Sequence, residues 1–193
     1  MIDKTLLSMI AIALTFLAFV PYITGILKGI TKPHVFSWVI WGSTTFIVFL
    51  AQLEGNAGIG AWPIGVSGVL TGLVAFLAYL KRGDITITKK DWLFFCVAMS
   101  ALPIWYLMSD PLWAVVILTL VDILGFAPTA RKVYHAPYSE PILFVALFFV
   151  RNILVLFALE HYSLTTMLFP VVIAIACLLL ITLMLIRRHL IVR

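Results

Sequence analysis

Seven long apolar segments, with almost every charge confined to the stretches between them, limit this chain to one environment. They run from about Thr5 to Leu27, His34 to Leu53, Ile59 to Leu80, Trp92 to Met108, Leu112 to Val133, Ile142 to Leu159 and Leu164 to Ile186. An uncharged apolar run of about 18 residues or more reads as a membrane-crossing helix, because only a helix closes its own backbone hydrogen bonds inside lipid. The chain has 193 residues, 64% of them hydrophobic and 11% charged. A soluble domain is roughly half apolar and a quarter charged, so the polar surface needed to coat a water-soluble globule is missing. The strands of an outer-membrane barrel are excluded too, since the runs are too long and lack a two-residue alternation.

The charges between the segments give a direction. Lys28 and Lys32 follow the first segment, Lys81, Arg82, Lys89 and Lys90 the third, Arg131 and Lys132 stand at the end of the fifth, and Arg187, Arg188 and Arg193 follow the seventh. The alternate loops carry Glu54, Asp110 and Glu160 and no Lys or Arg. Basic loops stay cytoplasmic, which predicts an external N-terminus and a cytoplasmic C-terminus, with Lys4 as the one basic residue on the wrong side. The net charge of +5 is thus accounted for by orientation, and no nucleic-acid partner is expected. The first segment lacks a small-residue cleavage site and is interrupted by Pro21, so it reads as a retained helix, not a signal peptide. Short loops make successive helices antiparallel neighbours.

An internal repeat divides the chain. Pro21 and Pro128, Pro63 and Pro170, and Lys81 and Arg188 are each 107 residues apart. Leu17-Ala18-Phe19-Val20-Pro21 aligns with Leu124-Gly125-Phe126-Ala127-Pro128, and Leu53-Glu54 with Leu159-Glu160 after a one-residue slip. Segments one to three therefore match five to seven, and segment four is a linker. The expected fold is all-α: seven transmembrane helices as two parallel three-helix repeats, residues 1–83 and 111–193, joined by a linker helix in 84–110. Parallel repeats about an axis along the membrane normal are a transporter design, with the solute site at the repeat interface.

Two buried charges stand out. Asp122 and Arg151 each lie about 15 Å into a helix, near mid-bilayer. An unpaired charge there costs at least about 2.5–3.5 kcal/mol, so each should face the interior and be paired. Neighbouring helices five and six can bring them together, either as part of a solute or proton pathway or as a structural ion pair. The aligned positions in the first repeat, Thr15 and Thr45, are uncharged. Asn152 follows Arg151 but points about 100° away from it. Trp38 and Trp41 share a face of helix two with Ser37 and Thr45; Trp38 reads as an interfacial anchor, and Trp41 as either anchor or solute contact. Gln52 reads as interfacial. Ser67 and Thr71, beside Gly68 and Gly72, suit close helix packing. Pro21, Pro128, Pro63 and Pro170 each remove a backbone bond within a spanning segment and are expected as hinges.

His34, His135, His161 and His189 sit at loops or helix ends without ligand spacing, and Cys96 and Cys177 read as buried hydrophobes. No metal or cofactor is expected. No nucleophile–base set, phosphate loop or carboxylate pair is present, so no enzyme activity is expected either.

The three-plus-one-plus-three plan, with Pro21-Tyr22-Ile23-Thr24-Gly25-Ile26-Leu27-Lys28 and Pro128-Thr129-Ala130-Arg131-Lys132-Val133-Tyr134 in the first helix of each repeat, resembles the PQ-loop superfamily of SWEET sugar transporters and their half-sized bacterial relatives. The following basic and Ser/Thr-containing text, Lys28 to His34 and His135 to Pro141, is similar as well. The sequence departs from that pattern where Tyr22 and Thr129 stand in place of the family's Gln. Pro33 and Pro141 lie at helix starts, and the third helices lack the sugar-binding Asn pair. The resemblance implies a cell-membrane, multi-pass carrier of a small polar solute, sugar-like or vitamin-like. Nicotinamide riboside transporters of the PnuC type share a related plan. The resemblance also implies alternating access between two triple-helix bundles; the residues themselves offer Asp122, Arg151, Asn152, Trp41 and Thr45 as substrate-binding candidates. The alternative is a receptor or sorting protein on the same scaffold, as in the KDEL receptors. The expected partners are the solute and membrane lipid, with a homo-oligomer left open.

Overall fold

A computed structural model describes residues 3–30, 33, 35–81, 89–135, 137–138 and 142–191. Among these residues the chain is helical without a strand: α1 (Lys4–Leu27), α2 (Val35–Glu54), a 3-10 turn (Gly58–Ala61), α3 (Trp62–Leu80), α4 (Lys89–Met108), α5 (Pro111–His135), α6 (Ile142–Ala158) and α7 (Leu164–Ile191). A helix lies on each expected segment, with α7 running farther than its apolar text. The side chains of Lys90, Pro128, Arg131 and Lys132 lie outside the described set, as do Lys32, His34, Arg82, Pro141 and Arg193.

Local chemistry sets the helix ends. Asp3 caps α1, its carboxylate accepting from the Thr5 and Leu6 amides at 2.9 and 3.3 Å. At the other end Gly29 adopts φ +73°, and the amides of Ile30 and Gly29 return to the Gly25 and Ile26 carbonyls. That pair of bonds closes a helix with a left-handed residue, usually glycine. Asn56, at φ 59°, ends α2 in the same way, with Ala57 and Asn56 donating to Gln52 and Leu53.

Four stretches are long and apolar enough to cross a membrane: Lys4–Leu27, Val35–Glu54, Gly58–Leu80 and Leu164–Leu190. Shorter apolar helices cover Phe95–Met108, Pro111–Phe126 and Ile142–Ala158. Large apolar side chains such as Leu17, Val69, Phe76, Leu143 and Leu179 stand more than half exposed on the outside of the bundle. In water so much exposed apolar surface is an aggregation hazard; in lipid it costs nothing. The chain is a multi-pass membrane protein.

The packing order differs from the chain order. α3 touches both α1 and α2, while α1 and α2 scarcely meet; α7 touches both α5 and α6, while α5 and α6 scarcely meet. The expectation that successive helices are neighbours holds for α2 and α3, α4 and α5, and α6 and α7, and fails for α1 and α2 and for α5 and α6, where α3 and α7 pack on both members of the pair. Taken in chain order, the triple α1–α3 touches the triple α5–α7 through α1 against α6 and α2 against α5, and α4 packs on α5 and α2. The α2–α3 seam is the closest. A Cβ on Gly68 would sit 3.0 Å from the Phe46 backbone nitrogen, and one on Gly42 would sit 3.0 Å from the Gly72 nitrogen. Small residues permit this approach, and van der Waals contact is what holds helices together in lipid. Ser67 and Thr71 are buried on this helix, where Thr71 donates to the Ser67 carbonyl at 2.7 Å.

Candidate functional site

Buried polar side chains mark where an apolar bundle does something other than pack. Asp122 is 6% exposed, at the α2–α5 seam between the triples. Its carboxylate accepts from the Thr44 hydroxyl at 2.9 Å. That hydroxyl carries one hydrogen and also has the Trp41 carbonyl within reach at 3.0 Å. Thr45, beside Thr44, is buried. Trp41 packs on α5, where the absence of a side chain on Gly125 makes room: a Cβ there would meet the Trp41 indole nitrogen at 2.9 Å.

Arg151 and Asn152 are buried on α6, the helix that meets α1 across the other seam. The Arg151 guanidinium donates to the Asn152 side-chain oxygen at 3.2 Å and to the Pro63 carbonyl at 3.4 Å, while Nε has no partner. Asn152 in turn donates to the Phe148 carbonyl at 2.8 Å. Asp122 and Arg151 thus have separate partners, and no hydrogen bond or ion pair joins them. The expected ion pair is not formed, for the reason already visible in the packing: α5 and α6 are separated by α7. Asn152 accepts from Arg151 and so stays beside it, despite the angle of about 100° between the two positions on the helix.

An aromatic run links the two groups. Trp41 and Trp38 have ring centroids 5.7 Å apart, Trp38 meets Tyr22 at 4.9 Å, and Tyr22 meets Phe144 at 6.3 Å. Phe144 meets Phe148 at 4.8 Å, and the Arg151 guanidinium carbon lies 4.8 Å from the Phe148 centroid. The run crosses α2, α1 and α6 with a carboxylate near one end and a guanidinium at the other. Trp38 is a member of it, packed on Phe19 and Tyr22, where the sequence suggested an interfacial anchor.

Beyond this run, the end of the bundle that carries Glu54 and Glu160 is tied across the triples. The Glu160 amide donates to the Ala57 carbonyl at 3.0 Å, and the Glu160 carboxylate accepts from the Ile59 amide at 3.1 Å. Gly60 lies so near the other triple that a Cβ would sit 2.8 Å from the Leu159 backbone. Lys4 donates to the Leu159 carbonyl at 2.6 Å, just past the C-terminus of α6, where a cation is favoured. This contact gives the exceptional basic residue a structural reason.

The prolines divide. Pro21 and Pro170 lie inside α1 and α7, and position 128 falls within α5. Pro63 occupies the first turn of α3, where its missing N–H interrupts no bond of that helix, so it is not an interior hinge. Pro103, inside α4, has no repeat partner and was not singled out by the sequence. Pro63 and Pro170 differ in what they leave behind: the Ile59 carbonyl, four residues before Pro63, accepts from the Trp62 amide, whereas the Thr166 carbonyl, four residues before Pro170, lacks its i→i−4 amide donor. The Ser8 hydroxyl reaches Ile59 at 2.8 Å, and Gln52 Nε2 reaches Thr166 at 2.8 Å. Gln52 is thus fully buried between the triples, not interfacial. Cys96 is exposed on α4, against expectation, and Cys177 is buried.

Among the described residues no group of three or more His, Cys, Asp or Glu side chains converges as a metal site. Fold and site define a helical, multi-pass membrane protein with Asp122, Gln52, Arg151 and Asn152 buried between its helices. Compared with known proteins, the chain matches no family model, no curated protein and no solved structure.

Proposed function

We propose that the chain is a divergent carrier of the PQ-loop and SWEET type, moving a small polar solute across the cell membrane by alternating access between α1–α3 and α5–α7, with α4 as linker. The observation that carries this reading is the exchange symmetry of the helix contacts. Swapping α1, α2 and α3 for α5, α6 and α7 turns the α1–α3 and α2–α3 contacts into α5–α7 and α6–α7, and turns α1–α6 into α5–α2. The 107-residue offset in the sequence supports the same pairing. Rocking between two such bundles opens the seams that hold Asp122, Thr45, Trp41, Arg151 and Asn152. With the basic loops cytoplasmic, the Glu160 ties close the external side, and seven crossings follow if the bilayer adapts to the shorter α6.

The test is flux into liposomes containing the purified chain, screened with sugars, amino acids and vitamin-like solutes. Saturable uptake of one class is expected. Absence of saturable flux for every class sinks the carrier reading, and tight binding of a peptide without flux moves the protein to the receptor alternative.

A further inference from the structure

Among the described residues, Arg151 is a cation with no anion. It is 2% exposed, and its two hydrogen bonds go to neutral acceptors at 3.2 and 3.4 Å. A guanidinium paired with a carboxylate or phosphate makes bonds of about 2.7–2.9 Å, often two in parallel. Arg151 Nε has no partner at all. The carboxylates of the described residues are committed elsewhere or stand in the open. Asp3 caps α1, Asp110 accepts from the Leu112 amide, Asp122 accepts from Thr44 and Glu160 accepts from Ile59, while Glu54 is exposed. A purely structural arginine would be expected to sit opposite one of them, since removing a buried charge from water costs several kcal/mol unless it is paired.

The location adds to this. The Pro63 carbonyl belongs to the first triple and Arg151 to the second, so this weak bond crosses the seam that opens in an alternating-access cycle. Phe148 on one face and Asn152 on one edge hold the fork in a fixed plane. A planar, pre-oriented guanidinium is the side chain best matched to a carboxylate or phosphate.

We infer that Arg151 is the anion-recognising group of the solute site, and that the solute is a small organic anion bearing a carboxylate or a phosphate monoester. The inference rests on the carrier reading and narrows it to one substrate class. In the cycle the anion replaces the Pro63 carbonyl and the Asn152 oxygen as the acceptor for the fork. Asn152 then turns its oxygen elsewhere, and Phe148 keeps the ring contact.

The experiment uses the full chain in proteoliposomes and in detergent, with succinate, glycerol 3-phosphate and glucose as probes at matched ionic strength. Saturable uptake and thermal stabilisation are measured for wild type, Arg151→Lys and Arg151→Gln. Wild type should take up one or both anions and exclude glucose. The comparison of succinate with glycerol 3-phosphate separates a carboxylate from a phosphate solute. Arg151→Gln should lose anion affinity at least tenfold, and Arg151→Lys should retain part of it, because the charge remains while the fork is lost. Saturable glucose uptake by wild type, or anion uptake unchanged in Arg151→Gln, overturns the inference while leaving the carrier reading intact. Flux of neither class, together with no flux in the wider screen, overturns both. Should Arg151→Gln not fold, the selectivity of wild type and of Arg151→Lys decides on the same criteria.

Discussion

Replacing Gln52 by leucine tests whether a side chain on one triple repairs a backbone defect on the other. Pro170 has no N–H, so the Thr166 carbonyl lacks the i→i−4 bond of its own helix, and Gln52 Nε2 donates to it at 2.8 Å. Leaving a buried acceptor unmade costs about 1–3 kcal/mol. Bonds between membrane helices measure lower, about 0.6 on average and about 1.7 at most. Gln52 Oε1 is buried without a partner, so its removal returns part of the loss. Gln52→Leu should therefore destabilise by about 1 kcal/mol, within the range for membrane-helix bonds. In a Pro170→Ala background the residue at 170 donates its own amide to Thr166, and the same substitution should cost less than about 0.5 kcal/mol. The assay is a double-mutant cycle, with unfolding followed by far-ultraviolet circular dichroism in mixed detergent micelles. Additivity of the two substitutions within about 0.3–0.5 kcal/mol refutes the repair argument.

Three further outcomes follow from the same contacts. Asp122→Asn keeps the shape and the Thr44 contact, so the variant should fold; if Asp122 carries a coupling proton, pH-driven uptake should vanish while solute exchange persists, and unchanged pH-driven uptake would make the residue structural. Gly60→Ala places a methyl group 2.8 Å from the Leu159 backbone and should lower stability by about 1–3 kcal/mol in thermal unfolding, whereas an unchanged melting temperature would mean that this end is not closely packed. Lys4→Met removes the cation at the end of α6 and should cost about 0.3–1 kcal/mol, with the loss shrinking as salt is added.

The helices were legible in the sequence because lipid imposes one rule on every segment, and that rule needs no knowledge of neighbours. The neighbours were less legible. Asp122 and Arg151 looked like partners because helices five and six are adjacent in sequence, but the Leu164–Ile191 helix stands between them and each charge found a different environment. Gln52 looked interfacial from its place near a segment end. Its acceptor is 114 residues away and became available only because a proline stands four residues beyond it. Pro63 matched Pro170 by offset, yet the 3-10 turn before it makes it the start of a helix, not its middle. The aromatic run from Trp41 to Arg151 draws on three helices at once, and no single segment displays it.

The placement of α3 between α1 and α2, and of α7 between α5 and α6, has a consequence for biogenesis. Helices leave the ribosome in chain order, so α1 and α2 enter the bilayer before the helix that joins them exists. They have few contacts with which to hold each other, and the early two-helix intermediate must remain open. α3 can join them only once it has been inserted, and the missing side chain of Gly68 is what lets its backbone come up against Phe46 of α2. A chain halted after α2 would be inserted but unassembled, the state that membrane quality control is built to find.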